Sequence, residues 1–355
     1  MNWKKYLKTG LGILITLGIL VGGYFLWQNL FKKLISPDTE NTQPTELPQK
    51  LKLLSNNEIS DYWVNRVNNF IYYLNPLGQV IKIGSGGEEL VNSQTINKFN
   101  NLKASNSGVL ALVKLNYPDA ISFSIFNTAT NNWQALPPNI SAADWSPTNQ
   151  EIIYLDDKGL KIFNPDTQKT RDVLKLTQKD LVLNWVSGDT LLLYETPSAD
   201  TPSSLWSLNL STKSLVPVTK NQSGLWIKWY PNGEFGIKNH NENRSPVTGI
   251  INKAGDDLTN LSFITLPSKC LVEKEKIYCA IPKLIKEGVL LPDDYFKKSV
   301  YFDDNLYEIN LATAASKLLL ENSDIIIDAE HLEFAGGKLL FKNRYDNKLY
   351  SLSLE

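Results

Sequence analysis

Three stretches of this sequence share one pattern, a tryptophan at the end of a short apolar run followed by a polar turn. They read Trp145-Ser-Pro-Thr-Asn149, Trp185-Val-Ser-Gly-Asp189 and Trp229-Tyr-Pro-Asn-Gly233. Trp63 ends a similar run at about twice the spacing before the first of them. A recurring interval of about 41 residues indicates one structural unit repeated along the chain.

A second marker recurs with the same period, an apolar residue followed by Asn and, three residues later, Thr. It occurs at Phe126–Thr130, Phe163–Thr167, Leu208–Thr212 and Ile309–Thr313. Short alternating runs such as Ile152–Leu155 separate the markers and favour β-strands over helices. A period of 40 to 45 residues with four short strands is typical of a propeller blade.

Residues 51–355 hold seven units of about 43 residues. We place the blades near 56–93, 94–137, 138–178, 179–219, 220–265, 266–320 and 321–355. The last unit has room for only three strands, and the run 51–54 precedes the first blade without a place in it. We therefore predict an all-β, seven-bladed β-propeller closed by an N-terminal strand, which removes two exposed sheet edges. One tryptophan per blade fits packing between blades.

The Trp-Ser-Pro-Thr-Asn turn followed by Glu151-Ile-Ile-Tyr154 resembles the Trp-Ser-Pro-Asp-Gly turn of TolB-like propellers, which are WD-repeat-like in architecture. The resemblance is good in blades three to five, looser in blades one and two, and absent from blades six and seven. It implies a platform for protein interactions. The order of anchor, linker and propeller also resembles membrane-anchored bacterial envelope proteins of unassigned activity. Function does not follow from the fold, because propellers host many unrelated roles.

The N-terminal region predicts a membrane anchor. Residues 9–31, TGLGILITLGILVGGYFLWQNLF, carry no charge and as a helix span about 34 Å, enough to cross a lipid bilayer. No Ala-x-Ala cleavage pattern follows them, and lysines precede the run, so we predict an uncleaved signal anchor with residues 1–8 in the cytoplasm. Residues 32–50 are rich in Pro and acidic residues and form a linker. The propeller, 51–355, is then extracytoplasmic, attached to the lipid bilayer of the cell membrane.

Composition excludes several functional classes. The chain has 355 residues with 36 Lys and Arg against 37 Asp and Glu, so it lacks the basic surface that nucleic-acid binding needs. It has two histidines, and we interpret His240 as a loop residue and His331 as a partly buried inner-strand residue. Motifs for a nucleophile elbow, a zinc protease, a phosphate loop or an Asp-box are absent. We assign no catalytic residue, cofactor or metal site.

The two cysteines, Cys270 and Cys279, flank a predicted hairpin that turns at residues 274 and 275. Residues at equal distances from this turn face each other across the two strands, at about 4.5 to 5.5 Å between Cα atoms. That separation suits a disulfide. We predict a structural bridge, with a pair of buried thiols as the alternative.

The sixth unit is longer than the others, and the excess lies at 282–304, between its second and third strands. Long loops on a rigid scaffold are common binding elements, although such a segment also serves as an ordered cap on its own blade. As candidate binding residues we name Leu290, Leu291, Asp293, Asp294, Tyr295 and Phe296. The acidic pairs 293–294 and 303–304 match no calcium-loop pattern.

Two functional hypotheses follow. The first is a protein- or ligand-binding scaffold in the cell envelope with a still unidentified protein partner. The alternative is an envelope hydrolase or lyase that acts on a polymer at the propeller funnel, using inner-strand carboxylates as acid and base. Carboxylates converging at the central channel would favour the alternative, whereas an apolar or lysine-lined mouth would disfavour it.

Overall fold

The computed structural model describes residues 50–230, 233–273, 275–311, 315–321 and 325–354. The predicted cytoplasmic segment, the membrane helix at 9–31 and nearly all of the linker lie outside these residues and stay predictions. Among the described residues, none of the helices combines the length and apolar character needed to traverse a bilayer.

The described residues form 28 strands and little helix. The strands are β1 Leu51–Leu53, β2 Asp61–Asn65, β3 Phe70–Leu74, β4 Val80–Gly84, β5 Gly87–Asn92, β6 Phe99–Ala104, β7 Leu110–Leu115, β8 Ser122–Asn127, β9 Asn132–Ala135, β10 Ala142–Trp145, β11 Ile152–Asp156, β12 Gly159–Asn164, β13 Lys169–Leu174, β14 Leu181–Ser187, β15 Thr190–Glu195, β16 Pro202–Asn209, β17 Leu215–Ser223, β18 Trp226–Trp229, β19 Phe235–Glu242, β20 Ser245–Asn252, β21 Asp257–Asn260, β22 Cys270–Glu273, β23 Lys276–Pro282, β24 Asp304–Asn310, β25 Ser316–Leu320, β26 Ala329–Ala335, β27 Lys338–Asn343 and β28 Lys348–Ser353. A 3-10 turn covers Pro267–Lys269, and one short helix, α1, covers Asp293–Phe296.

These strands make seven antiparallel four-stranded sheets, which confirms the seven-bladed propeller. In the first six blades the four strands follow one another in sequence, from β2–β5 to β22–β25. The seventh blade has the order β26, β27, β28, β1. Leu51 lies opposite Leu352 and Leu53 opposite Tyr350, so the predicted closure by the N-terminal strand is also confirmed.

The boundary between blades four and five differs from the prediction. We placed it between residues 219 and 220, whereas β17 continues to Ser223 and β18 begins at Trp226. The outer strand β17 stays paired with β16 up to the pair Pro202–Ser223. Two register shifts along the way accommodate extra residues in β17, which makes the strand longer than expected. The repeat period alone does not indicate where such a bulged strand ends.

Apolar residues from neighbouring blades pack together, as the burial of both sheet faces in a propeller requires. Trp145 of blade three packs with Leu112 and Ile125 of blade two, and Trp185 of blade four packs with Ile153 and Ile162 of blade three. The repeated tryptophans thus fill the space between each blade and the one before it.

Trp63 departs from this pattern by one residue. Val64, not Trp63, occupies the equivalent position, because Val64 lies opposite Ile71 as Trp145 lies opposite Ile152. Side chains alternate between the two faces of a sheet, so Trp63 points the other way, toward the next blade. Its ring lies 6.0 Å from that of Phe126 in blade two. The interpretation of Trp63 as the same repeat marker was wrong, although it also packs between blades.

In each blade, the connection between the second and third strands and the connection to the next blade lie at the same end of the sheet. We call this end of the propeller the insertion face, because the long segment of blade six lies there. The opposite face carries the turns between first and second and between third and fourth strands.

Candidate functional site

The long segment of blade six, residues 283–303, connects β23 with β24, and we call it the insertion. Its base is closed by a hydrogen bond from Lys283 N to Asp303 O. Contacts with three other blades anchor it. The Asp293 carboxylate accepts a hydrogen bond from Ala199 N of blade four, and Asn241 Nδ2 of blade five donates to Leu291 O at 3.0 Å. Arg344 Nη2 of blade seven donates to Tyr295 O at 3.1 Å.

The underside of the insertion is a small apolar core. Leu291 and Tyr295 are buried there, together with Leu266 and Phe302. The ring of Trp226, at the start of β18, lies 4.7 Å from the ring of Phe296. The insertion is therefore an ordered cap, but one that extends over neighbouring blades of the insertion face and not only over its own blade, as the sequence interpretation had it.

The six candidate binding residues divide into three pairs. Leu291 and Tyr295 are buried under the cap, and Asp293 and Asp294 hold the insertion in shape. Asp294 accepts a hydrogen bond from Leu290 N at 2.8 Å. Leu290 and Phe296 remain exposed, at 43% and 45%. Only this last pair presents apolar surface that a partner could contact without rearranging the insertion.

Two further apolar residues of the insertion, outside the six candidates, are also exposed. Leu284 is 72% exposed and Tyr301 is 41% exposed. An exposed leucine carries no local signal that separates it from a buried one such as Leu291, because the insertion has no regular strand or helix period. Three-dimensional packing alone makes this distinction.

A buried ion cluster fastens the end of the insertion to blade seven. Lys269 Nζ lies 2.5 Å from Asp304 Oδ2 and also contacts Asp328 Oδ1, and all three side chains are fully buried. Arg344 Nη1 lies 2.7 Å from Asp328 Oδ2, and its guanidinium stacks 3.9 Å above the Tyr295 ring. Two cations and two anions balance one another, which a buried set of charges requires.

Burial raises the pKa of Asp304, the positive charge of Lys269 lowers it and the negative charge of Asp328 raises it, and the net pKa is about 6. The cluster is structural, because its charged groups bond to one another and to the backbone, although Asp304 Oδ1 has no hydrogen-bond partner among the described residues. Asp304 Oδ2, for example, also accepts a hydrogen bond from Ala329 N at 2.9 Å.

A second group of charged residues lies where the innermost strands surround the central channel. We call it the channel cluster, and it comprises Asp61 of β2, Arg66 in the following turn, Lys228 of β18, and His331 and Glu333 of β26. Sequence reasoning missed this grouping. Blades one, five and seven supply its members, and the chain separates Asp61 from His331 by most of the propeller, so no local pattern could reveal it.

Two ion pairs organise the channel cluster. His331 Nδ1 lies 2.5 Å from Asp61 Oδ1, and Arg66 Nη2 lies 2.6 Å from Glu333 Oε2. The second imidazole nitrogen, Nε2, lies 4.0 Å from Glu333 Oε1, beyond hydrogen-bonding distance. His331 is thus an inner-strand residue, as expected, but one whose ring is oriented by a carboxylate. The interpretation of His240 as a loop residue was wrong, because His240 lies in β19 and is buried.

Lys228 is the remaining cation of the cluster. Its ammonium donates to Cys270 O at 3.0 Å, and among the described residues no carboxylate lies within ion-pair distance of it. Burial lowers the Lys228 pKa more than the charges of Glu333 and Asp61 raise it, so the net pKa is lowered. The bond to Cys270 O joins blade five to the inner strand of blade six, which packs beside β26.

The His331 pKa responds to opposing influences. Burial lowers it, but Asp61 and then Glu333 outweigh this effect and the net pKa is raised, while the charge of Lys228 acts in the opposite direction. The side chain nevertheless keeps 24% of its surface accessible. Solvent therefore still reaches the ring.

The backbone at His331 is unusual as well. Its φ of 52° lies in the left-handed region, and the pairing of β26 with β27 shifts register between Glu330 and Glu333. A left-handed conformation costs a residue with a side chain about 1 kcal/mol or more. The bulge turns the imidazole toward Asp61, and the hydrogen bond from the Tyr62 hydroxyl to His331 O at 2.6 Å holds it there.

The disulfide predicted between Cys270 and Cys279 is present, and the two residues lie opposite each other in the hairpin of β22 and β23. No set of three or more His, Cys, Asp or Glu residues suited to a metal ion occurs in the described part of the chain. The acidic residues of the insertion do not converge. Asp303 pairs with Lys283, and Asp304 belongs to the buried ion cluster.

Two cavities lie elsewhere on the propeller. The larger, about 450 Å³, is lined by Glu273, Glu275, Lys276, Tyr278 and Phe334, near the tip of the disulfide-linked hairpin. The smaller, about 190 Å³, lies between blades three and four and is lined mainly by apolar residues such as Leu181 and Trp206. Neither cavity includes a residue of the insertion or of the channel cluster.

Known proteins resemble this chain in structure. No family model and no curated protein matches its sequence. The tricorn protease superposes with a TM-score of 0.56 at 8% identity over 87% of this chain, which spans only 34% of that chain. The WD40 repeats of RRP9 give a TM-score of 0.57 at 11% identity, covering 86% of this chain and 98% of that one. An oligogalacturonate lyase in complex with manganese gives 0.56 at 12% identity, with 87% and 92% covered.

At identities this low the likeness concerns the fold alone. The fold is that of the TolB-like and WD-repeat-like propellers, with seven blades. Such propellers serve as binding scaffolds and, in some cases, as enzymes, so the function must be argued from the residues of this chain.

Proposed function

We propose that the protein is a membrane-anchored, extracytoplasmic propeller that binds a partner protein in the cell envelope through the outer surface of the insertion. One observation carries the proposal. Four large apolar side chains of the insertion, Leu284, Leu290, Phe296 and Tyr301, are exposed. Single exposed apolar residues are normal on a protein surface, but several together mark interaction sites.

The anchoring of the insertion supports a recognition role. Hydrogen bonds to blades four, five and seven hold it in place. Because its backbone is already ordered, binding a partner would cost little conformational entropy. Exposed Lys297 and Lys298 directly follow Phe296. The partner that fits this surface has an apolar centre with an acidic rim.

The membrane and envelope part of the proposal rests on two other features. The uncharged run at 9–31 has the length and flanking lysines of a signal anchor. The Cys270–Cys279 disulfide is of a kind that persists in oxidising compartments outside the cytoplasm.

Photo-crosslinking in intact cells tests the binding surface. A photoreactive amino acid replaces Phe296 or Leu284, and control variants carry it at Leu90 or Leu258, which are 55% and 56% exposed on outer strands. We expect a discrete crosslinked species from the insertion positions and none from the controls. Equal crosslinking from all four positions, or none from any, would contradict the proposal.

The enzymatic alternative has one observation in its favour, namely that the inner-strand carboxylates of Asp61 and Glu333 converge at the channel. Both are engaged by cations, however, and Lys228 shares the same space. The test is incubation of the purified protein with uronate oligomers and other envelope polymers, with and without manganese. Product formation that Asp61→Asn and Glu333→Gln abolish would favour the enzyme, and no turnover on any polymer would remove this alternative.

A further inference from the structure

Hydrogen-bond donors of the channel cluster remain without partners. Lys228 Nζ has three donor hydrogens and one acceptor among the described residues, Cys270 O. In the described part of the chain, the Nε2 of His331 has no acceptor within hydrogen-bonding distance, since Glu333 Oε1 lies 4.0 Å away. The carboxylates, in contrast, are satisfied by His331 and Arg66.

The charges of the cluster leave a positive excess. With the imidazole protonated, the cations are Arg66, Lys228 and His331, and the anions are Asp61 and Glu333. The two carboxylates thus leave one positive charge unmatched. An unmatched charge in a desolvated space is costly, and a bound anion would relieve that cost.

Lys228 and His331 lie near each other at the channel. Lys228 Nζ reaches from blade five to Cys270 O on β22, the inner strand of blade six, and β22 packs beside β26, which carries His331. The accessible 24% of the His331 side chain shows that solvent reaches the ring. An acceptor that enters the channel from solvent would therefore meet the free donors of both residues.

We infer that the channel cluster binds a small oxyanion, held by the Lys228 ammonium and the His331 imidazolium. A phosphate group and a carboxylate group share this chemistry, because both present oxygen acceptors with negative charge to N–H donors. Arg66 and Asp61 position the site, Arg66 by holding Glu333 and Asp61 by holding the imidazole through Nδ1, which leaves Nε2–H available. The inference is independent of the partner proposed for the insertion.

The histidine content of the chain makes the test direct, because only His240 and His331 contribute imidazole signals. The full-length protein in detergent, with isotope-labelled histidine, is titrated with sodium phosphate, sodium acetate or sodium chloride at matched ionic strength. The pH is kept below the ordinary imidazole pKa of about 6.5. His331→Gln assigns the two signals.

We expect a saturable shift of the His331 signal with phosphate or acetate, and little change of His240. Saturation by phosphate alone would identify a phosphate-type ligand, and saturation by acetate would identify a carboxylate. Lys228→Met should weaken the apparent affinity about tenfold or more, because a charge-assisted hydrogen bond is lost. The exposed Lys158→Met is the matched control and should titrate like the wild type.

Three results would overturn the inference. The His331 signal could respond no more to phosphate and acetate than to chloride. Both histidine signals could move together without saturation, which is a general salt effect. Finally, Lys228→Met could titrate with the wild-type affinity. The wild-type titration decides the question even if the Lys228 variant fails to fold.

Discussion

Leu51, in the first strand of the propeller, lies opposite Leu352 in the last strand, and both side chains are buried. The ring is therefore closed by backbone hydrogen bonds between segments that are far apart in sequence. Such a closure couples the stability of the first and last blades, because the outer edge of blade seven is covered only when β1 pairs with β28.

The first prediction concerns this closure. Leu51→Ala should lower the free energy of unfolding by about 3 kcal/mol, because Leu51 belongs to the core shared by blades six and seven. The neighbouring Lys52 is exposed on the same strand, so Lys52→Ala should have little effect. Urea unfolding of both variants measures the difference. Equal stabilities would show that β1 does not secure the ring.

The second prediction concerns the disulfide. Replacing Cys270 and Cys279 together by Ala should cost about 2 to 3 kcal/mol, since the bridge restricts a short loop in the unfolded chain. Unfolding in the presence of a reductant should lower the stability of the wild type to a similar degree and leave the double variant unchanged. A double variant as stable as the oxidised wild type would contradict a structural role.

The third prediction concerns the two histidines, which should affect stability in opposite directions with pH. The pKa of His331 is raised, chiefly because Asp61 outweighs burial, so folding favours its protonated form. Its stabilising contribution is fully present below about pH 6.5 and is lost as the pH rises through the folded-state pKa. His331→Gln should therefore be most destabilising at acidic pH.

His240 should change the stability in the opposite direction with pH. Burial, together with the charge of Lys238, lowers its pKa, so folding favours the neutral ring. The wild type should lose stability from this residue as the pH falls below about 6.5 toward the folded-state pKa, and His240→Gln should lose less. Denaturant unfolding of wild type and both variants across this range checks the two signs. Parallel pH profiles for all three proteins would contradict them.

The fourth prediction concerns the hold on the insertion. Arg344 bonds to Tyr295 O and Asp328 and stacks on the Tyr295 ring, and lysine cannot reproduce this planar arrangement. Arg344→Lys should raise amide hydrogen exchange in residues 290–300 by about tenfold, with other blades unchanged. Arg171→Lys, at an exposed pair with Glu151, is the control. Unchanged exchange in the insertion would mean that Arg344 does not secure it.

Repetition explains why the fold could be predicted. Every blade must bury both sheet faces against its neighbours, so Trp145 and Trp185 recur at equivalent positions and reveal the period. Trp63 shows the limit of this reasoning, because a shift of one residue reverses the face of the sheet without changing the apparent spacing. The register of β2 with β3 decides which face of the sheet Trp63 occupies, and this register cannot be read from the sequence.

The candidate site was predictable only in part. The extra length of blade six located the insertion, but burial of Leu291 and exposure of Leu284 depend on packing against Trp226 and Leu266 from other elements. The channel cluster had no signature, because ring closure brings Asp61 beside His331 and Lys228 comes from blade five, which adjoins neither of their blades. Contacts of such long sequence separation leave no local periodicity.

The most direct measurement asks on which side of the membrane the insertion lies. Leu284→Cys introduces a thiol at a position that is 72% exposed, and both native cysteines are already joined in the disulfide. Spheroplasts are treated with a membrane-impermeant maleimide before and after lysis, with the wild type as the unlabelled control. An extracytoplasmic binding propeller predicts full labelling before lysis. Labelling only after lysis would place the propeller in the cytoplasm and contradict the proposed function.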